Sequence, residues 1–141
     1  VTPLAIETVK KVRELTGLKV VHFNLNALDK FNSEYNIRIA GPSDFIGLIS
    51  RATYICTNSF HCSAFSIIYR KNFMFVPKNM ANERITSLMD KFSLSDVFIS
   101  VDRLKTMNIE DLKVDYSKTE DCIEGFIAHS RRYLHNALKD E

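Results

Sequence analysis

The stretch Thr53-Tyr54-Ile55-Cys56-Thr57-Asn58-Ser59-Phe60-His61-Cys62-Ser63-Ala64-Phe65-Ser66-Ile67-Ile68 decides the fold. Residues 53–56 read as a short buried strand. Thr57, Asn58 and Ser59 form a polar turn of helix-capping residue types. A helix is expected from about Phe60, with Ala64, Phe65, Ile67 and Ile68 as apolar positions. A second continuous apolar run, residues 73–76, then reads as a strand halted by Pro77. Apolar strand, helix, apolar strand is the unit from which parallel sheets are built, because a parallel connection needs a crossover long enough for a helix.

The same alternation extends outward. Upstream, Thr2-Pro3 reads as an N-cap followed by proline at the first helical position, Leu4, Ile6, Val9, Val12 and Leu15 supply an apolar face, and Gly17 stops the helix. Residues 19–23 read as a strand, residues 24–35 as a polar loop with some helical turn, and residues 36–39 as a second strand with Ile37 and Ile39 alternating. Gly41-Pro42-Ser43-Asp44 opens the next helix, whose buried face is Phe45, Leu48 and Ile49. Downstream, Asn82 is expected to cap a helix in which Ile85, Leu88, Met89 and Phe92 fall at i, i+3, i+4 and i+7. Residues 97–99 read as a last short strand. From about Thr119 an amphipathic helix runs toward Leu138, with Cys122, Ile123, Phe126, Ile127, Tyr133, Leu134 and Leu138 on one side. The expected class is a doubly wound α/β fold, its parallel sheet covered on both faces. Ligands in such folds bind outside the carboxyl ends of the strands, which selects residues 40–44, 57–61 and 77–84.

At 141 residues the chain is one domain's worth of sequence. It is 45% hydrophobic and 26% charged, ordinary for a globular domain, which excludes disordered and fibrous classes. A net charge of +2 offers no basic stripe for nucleic acid. The most apolar stretch, residues 54–77, is interrupted by Asn58, His61, Arg70, Lys71 and Asn72, so no membrane span is expected. The helix pattern begins almost at once, which predicts no secretory leader. Three cysteines without a C-x-x-C pair fit a reducing cytoplasm. Cys56, His61 and Cys62 cluster, but a tetrahedral zinc site wants four ligands, so no metal is expected.

The turn at residues 57–61 carries the chemistry. Backbone N–H groups of a helix's first turn point along its axis and receive anions. His61 falls in that turn, where it is either a proton-transfer group or an ordinary surface histidine. Cys62 at a helix N-terminus is a second nucleophile candidate, although spacing places no base beside it.

Residues 41–49 (Gly41 to Ile49), Ala52-Thr53-Tyr54, and Thr57-Asn58-Ser59-Phe60-His61 through Phe65-Ser66-Ile67-Ile68 resemble the polysaccharide pyruvyl transferase family. So do Asn82-Glu83-Arg84-Ile85 with Ser87-Leu88, Val114-Asp115-Tyr116, and Arg131 and Leu134. The resemblance spans most of residues 37–138. It implies transfer of pyruvate from phosphoenolpyruvate to a hydroxyl pair of a sugar in a bacterial surface polysaccharide, with ketal formation and no cofactor. It also implies a Rossmann-like three-layer sandwich similar to the C-terminal domain of GT-B type glycosyltransferases. Residues 1–141 would then be one domain, the C-terminal half of a two-domain enzyme whose N-terminal half is absent. A glycosyltransferase using a nucleotide sugar and a non-catalytic Rossmann-like binding module are the alternatives.

Phosphoenolpyruvate brings a phosphate and a carboxylate, so its site needs anion-directed donors in a dry pocket. Asn58 and Ser59 at the helix N-terminus and Arg84 at another strand-to-helix turn are the expected binding residues. Many family members carry arginine where Ser59 stands, which hands the donor contact to another base such as Arg84. His61 matches the family pattern and is the expected catalytic residue, as histidine is suited to moving protons near neutral pH. Asp44 and Glu83 are expected as substrate-binding residues, partners of sugar hydroxyls or of a proton, although each reads more readily as a carboxylate complementing a helix dipole. The expected partners are the absent domain and a sugar or lipid-linked saccharide. The expected location is the cytoplasm, extending to the inner face of the membrane.

Overall fold

The computed structural model describes residues 2–23, 32–38, 41–78 and 83–139. Helix α1 (Pro3–Thr16) starts as its sequence requires: Thr2 Oγ1 accepts the Ala5 N–H at 3.2 Å and proline occupies the first turn. It ends at Gly17, whose φ of 68° is left-handed and whose N–H closes on the Arg13 carbonyl at 2.8 Å. Strands β1 (Val21–Phe23) and β2 (Tyr35–Ile37) pair in parallel, Val21 opposite Tyr35 and Phe23 opposite Ile37. Helix α2 (Pro42–Arg51) follows, and Asp44 Oδ2 accepts the Gly41 N–H at 2.9 Å across its first turn.

Strands β3 (Tyr54–Thr57) and β4 (Asn72–Phe75) form a second parallel pair around helix α3 (Phe60–Ile68). β4 divides the interior. Alternate side chains of a strand face opposite ways, and both faces of this one are buried. Phe73 and Phe75 enter a cluster with Ile49, Ile67, Ile85, Met89 and Ile123, whereas Met74 and Val76 enter another with Val12, Ile99, Met107 and Leu112. Helices therefore cover this sheet on each side. Among the described residues, however, the strands make two separate two-stranded sheets and not one continuous sheet.

The remaining elements are helices α4 (Glu83–Lys91), α5 (Val101–Thr106) and α6 (Glu120–Ala137), with 3-10 turns at Ser95–Val97 and Glu110–Leu112. The strand expected at residues 97–99 is corrected here. Val97 closes a 3-10 turn, and Phe98 makes a single parallel bridge to Phe75, with the Ile99 N–H donating to the Phe75 carbonyl at 2.9 Å. Val97 and Ile99 are buried as a strand pattern demands, but the turn consumes the backbone before a ladder can form. Helix α5 and the turn at Glu110–Leu112 were not anticipated from sequence. The first strand begins at Val21 and not at residue 19, and the second begins one residue early, at Tyr35, while Ile39, residues 24–31 and Asn82 lie outside the described residues.

Long-range polar contacts fasten the second half of the chain to β4. The Tyr116 hydroxyl donates to the Lys71 carbonyl at 2.7 Å, and the Asn72 Oδ1 accepts the Val114 N–H at 3.0 Å. Burial pushes the Tyr116 hydroxyl's pKa up, so it remains a donor across the physiological range. Removing it leaves a part-buried carbonyl short of a partner. Tyr116→Phe should lower stability by about 1–2 kcal/mol, read by urea denaturation.

Glu34 ties the first strand pair to α1. It accepts the Val20 N–H at 2.8 Å and pairs with Arg13. The Val20 N–H, with Arg13 assisting, holds the Glu34 carboxyl below the usual carboxylate range. A depressed folded-state pKa stabilises above the unfolded value and loses that contribution as pH falls through the folded one. The protection of the Val20 to Phe23 amides, taken against their intrinsic exchange rate at each pH, should therefore fall on acidification below about pH 4, and Glu34→Gln should remove that acid dependence.

Candidate functional site

β3 runs into α3 through a turn of two residues, Asn58 and Ser59. Ser59 is the N-cap, with extended backbone, and its Oγ accepts the Cys62 N–H at 3.4 Å. The Ser59 N–H donates to Thr57 Oγ1 at 3.0 Å, and the Ser59 carbonyl accepts the Ser63 hydroxyl at 3.0 Å. On the strand side the Val76 N–H donates to the Thr57 carbonyl at 2.8 Å, which locks the turn to the end of β4. The turn is thus held by its own side chains and its neighbour. The Phe60 and His61 N–H groups are its remaining first-turn donors, at the positive end of α3.

The sequence-expected residues fall into two groups around this turn. Asn58 and Ser59 line a cleft of about 1030 Å³ that opens between α1, β1, α2 and β3. His61 does not line it. The His61 ring is exposed and stands edge-on to Phe60, centroids 5.7 Å apart. Arg84, in the first turn of α4, places its guanidinium carbon 5.8 Å from the centre of the same Phe60 ring. Phe60 thereby gathers His61 and Arg84 from two different helices onto one aromatic side chain. Glu83 is exposed beside Arg84 at the start of α4. Asp44 serves the cap of its own helix, as the dipole argument allows.

The cleft also collects His22, which reads from sequence only as a strand residue, and Lys78, which lies in the 77–84 loop but has no role in the sequence pattern. The His22 Nδ1 lies 3.0 Å from Asn36 Oδ1, its opposite number in the β1–β2 register. His22 was absorbed into an apolar strand, and Lys78 stood behind a strand-ending proline. The rule that ligands meet the carboxyl ends of parallel strands selects the 77–84 loop that holds Lys78, and the same rule applied to β1 points to the strand end beside His22.

Cys62 is not an activated thiol. Burial pushes it up, against the smaller opposing effect of hydrogen bonding with Thr57 and Ser66. Burial also pushes the Cys56 thiol up to about 12. Among the described residues no group of three or more His, Cys, Asp or Glu side chains is placed to hold a metal ion, and no helix is long and apolar enough to cross a membrane.

The family model described as polysaccharide pyruvyl transferase matches residues 3–77, more than half of the chain. The chain belongs to the polysaccharide pyruvyl transferase family. The matched span runs from α1 through the Thr57–His61 turn to the end of β4, so it holds Asp44, Asn58, Ser59, His61 and every lining residue of the cleft but Lys78. Arg84, Glu83 and the later segments of the sequence resemblance lie beyond it. No curated protein and no solved structure gives a significant match.

Membership makes this a transferase family domain without assigning any residue a role. The state of its cysteines is directly measurable. Cys122 on α6 is exposed and should react with a maleimide in the native protein. Cys62 is buried and should react only after denaturation, while half-buried Cys56, its thiol pKa raised, should react far more slowly than Cys122, seen by mass as one fast-labelling site before unfolding and three labelled sites after.

Proposed function

We propose that this chain contributes to ketal-forming transfer of pyruvate from phosphoenolpyruvate to two hydroxyls of a sugar in a surface polysaccharide. The observation that carries the reading is the family match over the segment that builds the turn and the cleft. The fold reading that accompanies it is a Rossmann-like domain facing a second one across a cleft, as in GT-B type enzymes. The absent N-terminal domain would supply the other wall, with the reaction in the cytoplasm or at the inner face of the membrane.

The chemistry assigns work to each group. The methylene carbon of phosphoenolpyruvate must gain a proton, which makes its neighbouring carbon electrophilic. One sugar hydroxyl then adds there, inorganic phosphate leaves with the cleaved C–O bond's electrons, and the second hydroxyl closes the ketal. Of the two hydroxyl protons, one balances the new methyl group and the other leaves on phosphate. In this reading His61 moves the proton to or from the reacting atoms. Arg84, beside His61 through Phe60, neutralises the donor's charge in place of the arginine that Ser59 replaces. The N–H groups of the α3 first turn, with Asn58 and Ser59, hold the second anionic group. Asp44 and Glu83 are left to orient sugar hydroxyls.

The test is transfer by the full-length protein from phosphoenolpyruvate to a saccharide acceptor, followed as phosphate release and as the mass gain of the acceptor. His61→Ala should lower kcat by about 100-fold or more, the usual size of a lost proton-transfer group. Arg84→Ala should raise the apparent KM for phosphoenolpyruvate more than it lowers kcat. Binding of nucleotide sugars with no affinity for phosphoenolpyruvate would replace this reading with the glycosyltransferase one. Transfer unchanged by His61→Ala would remove His61 from the mechanism.

A further inference from the structure

The cleft of about 1030 Å³ is bordered by β1 and β3, and no residue of β2 or β4 lines it. The β1–β2 pair therefore stands on one side of it and the β3–β4 pair on the other. The chain leaves β1 for β2 and comes back through α2 to β3, so the direction of connection reverses across the gap. Such a reversal is where parallel α/β sheets open a crevice for a ligand. Phosphoenolpyruvate would fill a small part of this space, since pockets of roughly 300–1,000 Å³ enclose ligands of drug size.

The charge of the lining has one sign. Arg13, Lys19, Arg51 and Lys78 line the cleft together with His22, and none of the described aspartates or glutamates does. This one-sidedness is local, because the chain's 19 basic residues are nearly balanced by 17 acidic ones. Glu34 takes up the charge of Arg13, but Lys19, Arg51 and Lys78 have no ion-pair partner among the described residues. Arg51 stands before β3, and Lys78 follows β4, whose end the Val76 N–H bonds to the end of β3. These two cations bracket the four residues of β3, roughly 13 Å of strand, which a single phosphoenolpyruvate does not span.

The walls between them are mixed. Phe23, Phe45 and Tyr54 bring aromatic rings, and Thr53, Thr57 and Asn58 bring hydroxyls and an amide. Rings cover the C–H faces of a sugar while short polar side chains meet its hydroxyls. A plain hydrocarbon chain has no use for the second set, and a neutral sugar leaves the cations unanswered.

We propose that this cleft binds the acceptor, and that the acceptor is an acidic oligosaccharide. Its carboxylate or phosphate groups are held by Lys78 at one end of β3, by Arg51 at the other and by Lys19 beside β1. Asn58 and Ser59 belong both to the cleft and to the turn that starts α3, so one end of the glycan lies next to the donor. The inference rests on the pyruvyl-transfer reading for the word acceptor; the binding itself needs neither donor nor turnover.

Calorimetry on the full-length protein without phosphoenolpyruvate tests it. Trigalacturonate or 6-phosphorylated galactotriose should bind about tenfold or more tightly than galactotriose at equal ionic strength, and the tighter of the two names the acidic group. Lys19→Glu and Lys78→Glu, both at exposed positions outside every helix and strand, should each weaken the acidic ligand by about tenfold with unchanged far-UV circular dichroism. Arg132→Glu, on the exposed side of α6, should change nothing. On a Cys122→Ser background, Thr53→Cys places a thiol at an exposed position of the cleft wall, and the acidic trisaccharide should slow its reaction with a maleimide. Galactotriose or tripolyphosphate binding as tightly as the acidic sugars overturns the proposal. So does affinity indifferent to both lysine reversals, labelling of residue 53 that no ligand slows, or no binding at all. Absence of pyruvyl transfer beside intact acidic-glycan binding would count against the reaction and for the cleft.

Discussion

Double-sided burial of β4 is the constraint on which the rest of the structure depends. Four consecutive residues, Phe73 to Val76, are almost wholly removed from water, and they feed two cores at once. α1 and α5 contribute to the core on the Met74–Val76 side, and α2, α3, α4 and α6 to the core on the Phe73–Phe75 side. Because strand side chains alternate, a shift of one residue in the β3–β4 register would exchange the two cores' contents. Register is therefore fixed by packing, and with it the position of the turn that follows β3. The bond from Val76 to Thr57 transmits that register to the turn that starts α3.

Much of this was legible in the amino-acid pattern. The β3–α3–β4 unit announced itself through two short apolar runs separated by a capped helix. Thr2-Pro3, Gly17 and Gly41-Pro42 marked helix ends by backbone chemistry that needs no tertiary context. The failures share a cause. Val97 and Ile99 alternate as strand residues do, but whether such a run extends a ladder depends on the preceding backbone, which here is wound into a 3-10 turn. Residues 101–106 have too little periodicity to declare α5. The apolar side of α6 was visible as a pattern, yet a pattern does not say whether a face is covered.

The site was legible in kind more than in arrangement. Capping residues at 57–59 identified the turn, and the structure gives each of Thr57 and Ser59 a hydrogen bond within it. The direction of His61 was not readable, since one residue's difference in helical phase turns a side chain by about 100°. Phe60 and Cys62, on either side, point inward and leave His61 outside. The meeting of His61 with Arg84 over Phe60 joins residues separated by a whole strand and its loops, which spacing cannot express. His22 and Asn36 meet for a similar reason, through strand register.

Arg70 closes α3 with a left-handed backbone, φ 52°, and its guanidinium grips the Ile67 and Ile68 carbonyls and both carboxylate oxygens of Glu120. α3 thus has the capped Thr57–Ser59 turn at one end and the start of α6 clamped at the other, with about 13 Å of helix between them. The helix is thereby pinned at both ends by residues far apart in sequence, so its length sets the distance between the Thr57–Ser59 turn and the start of α6.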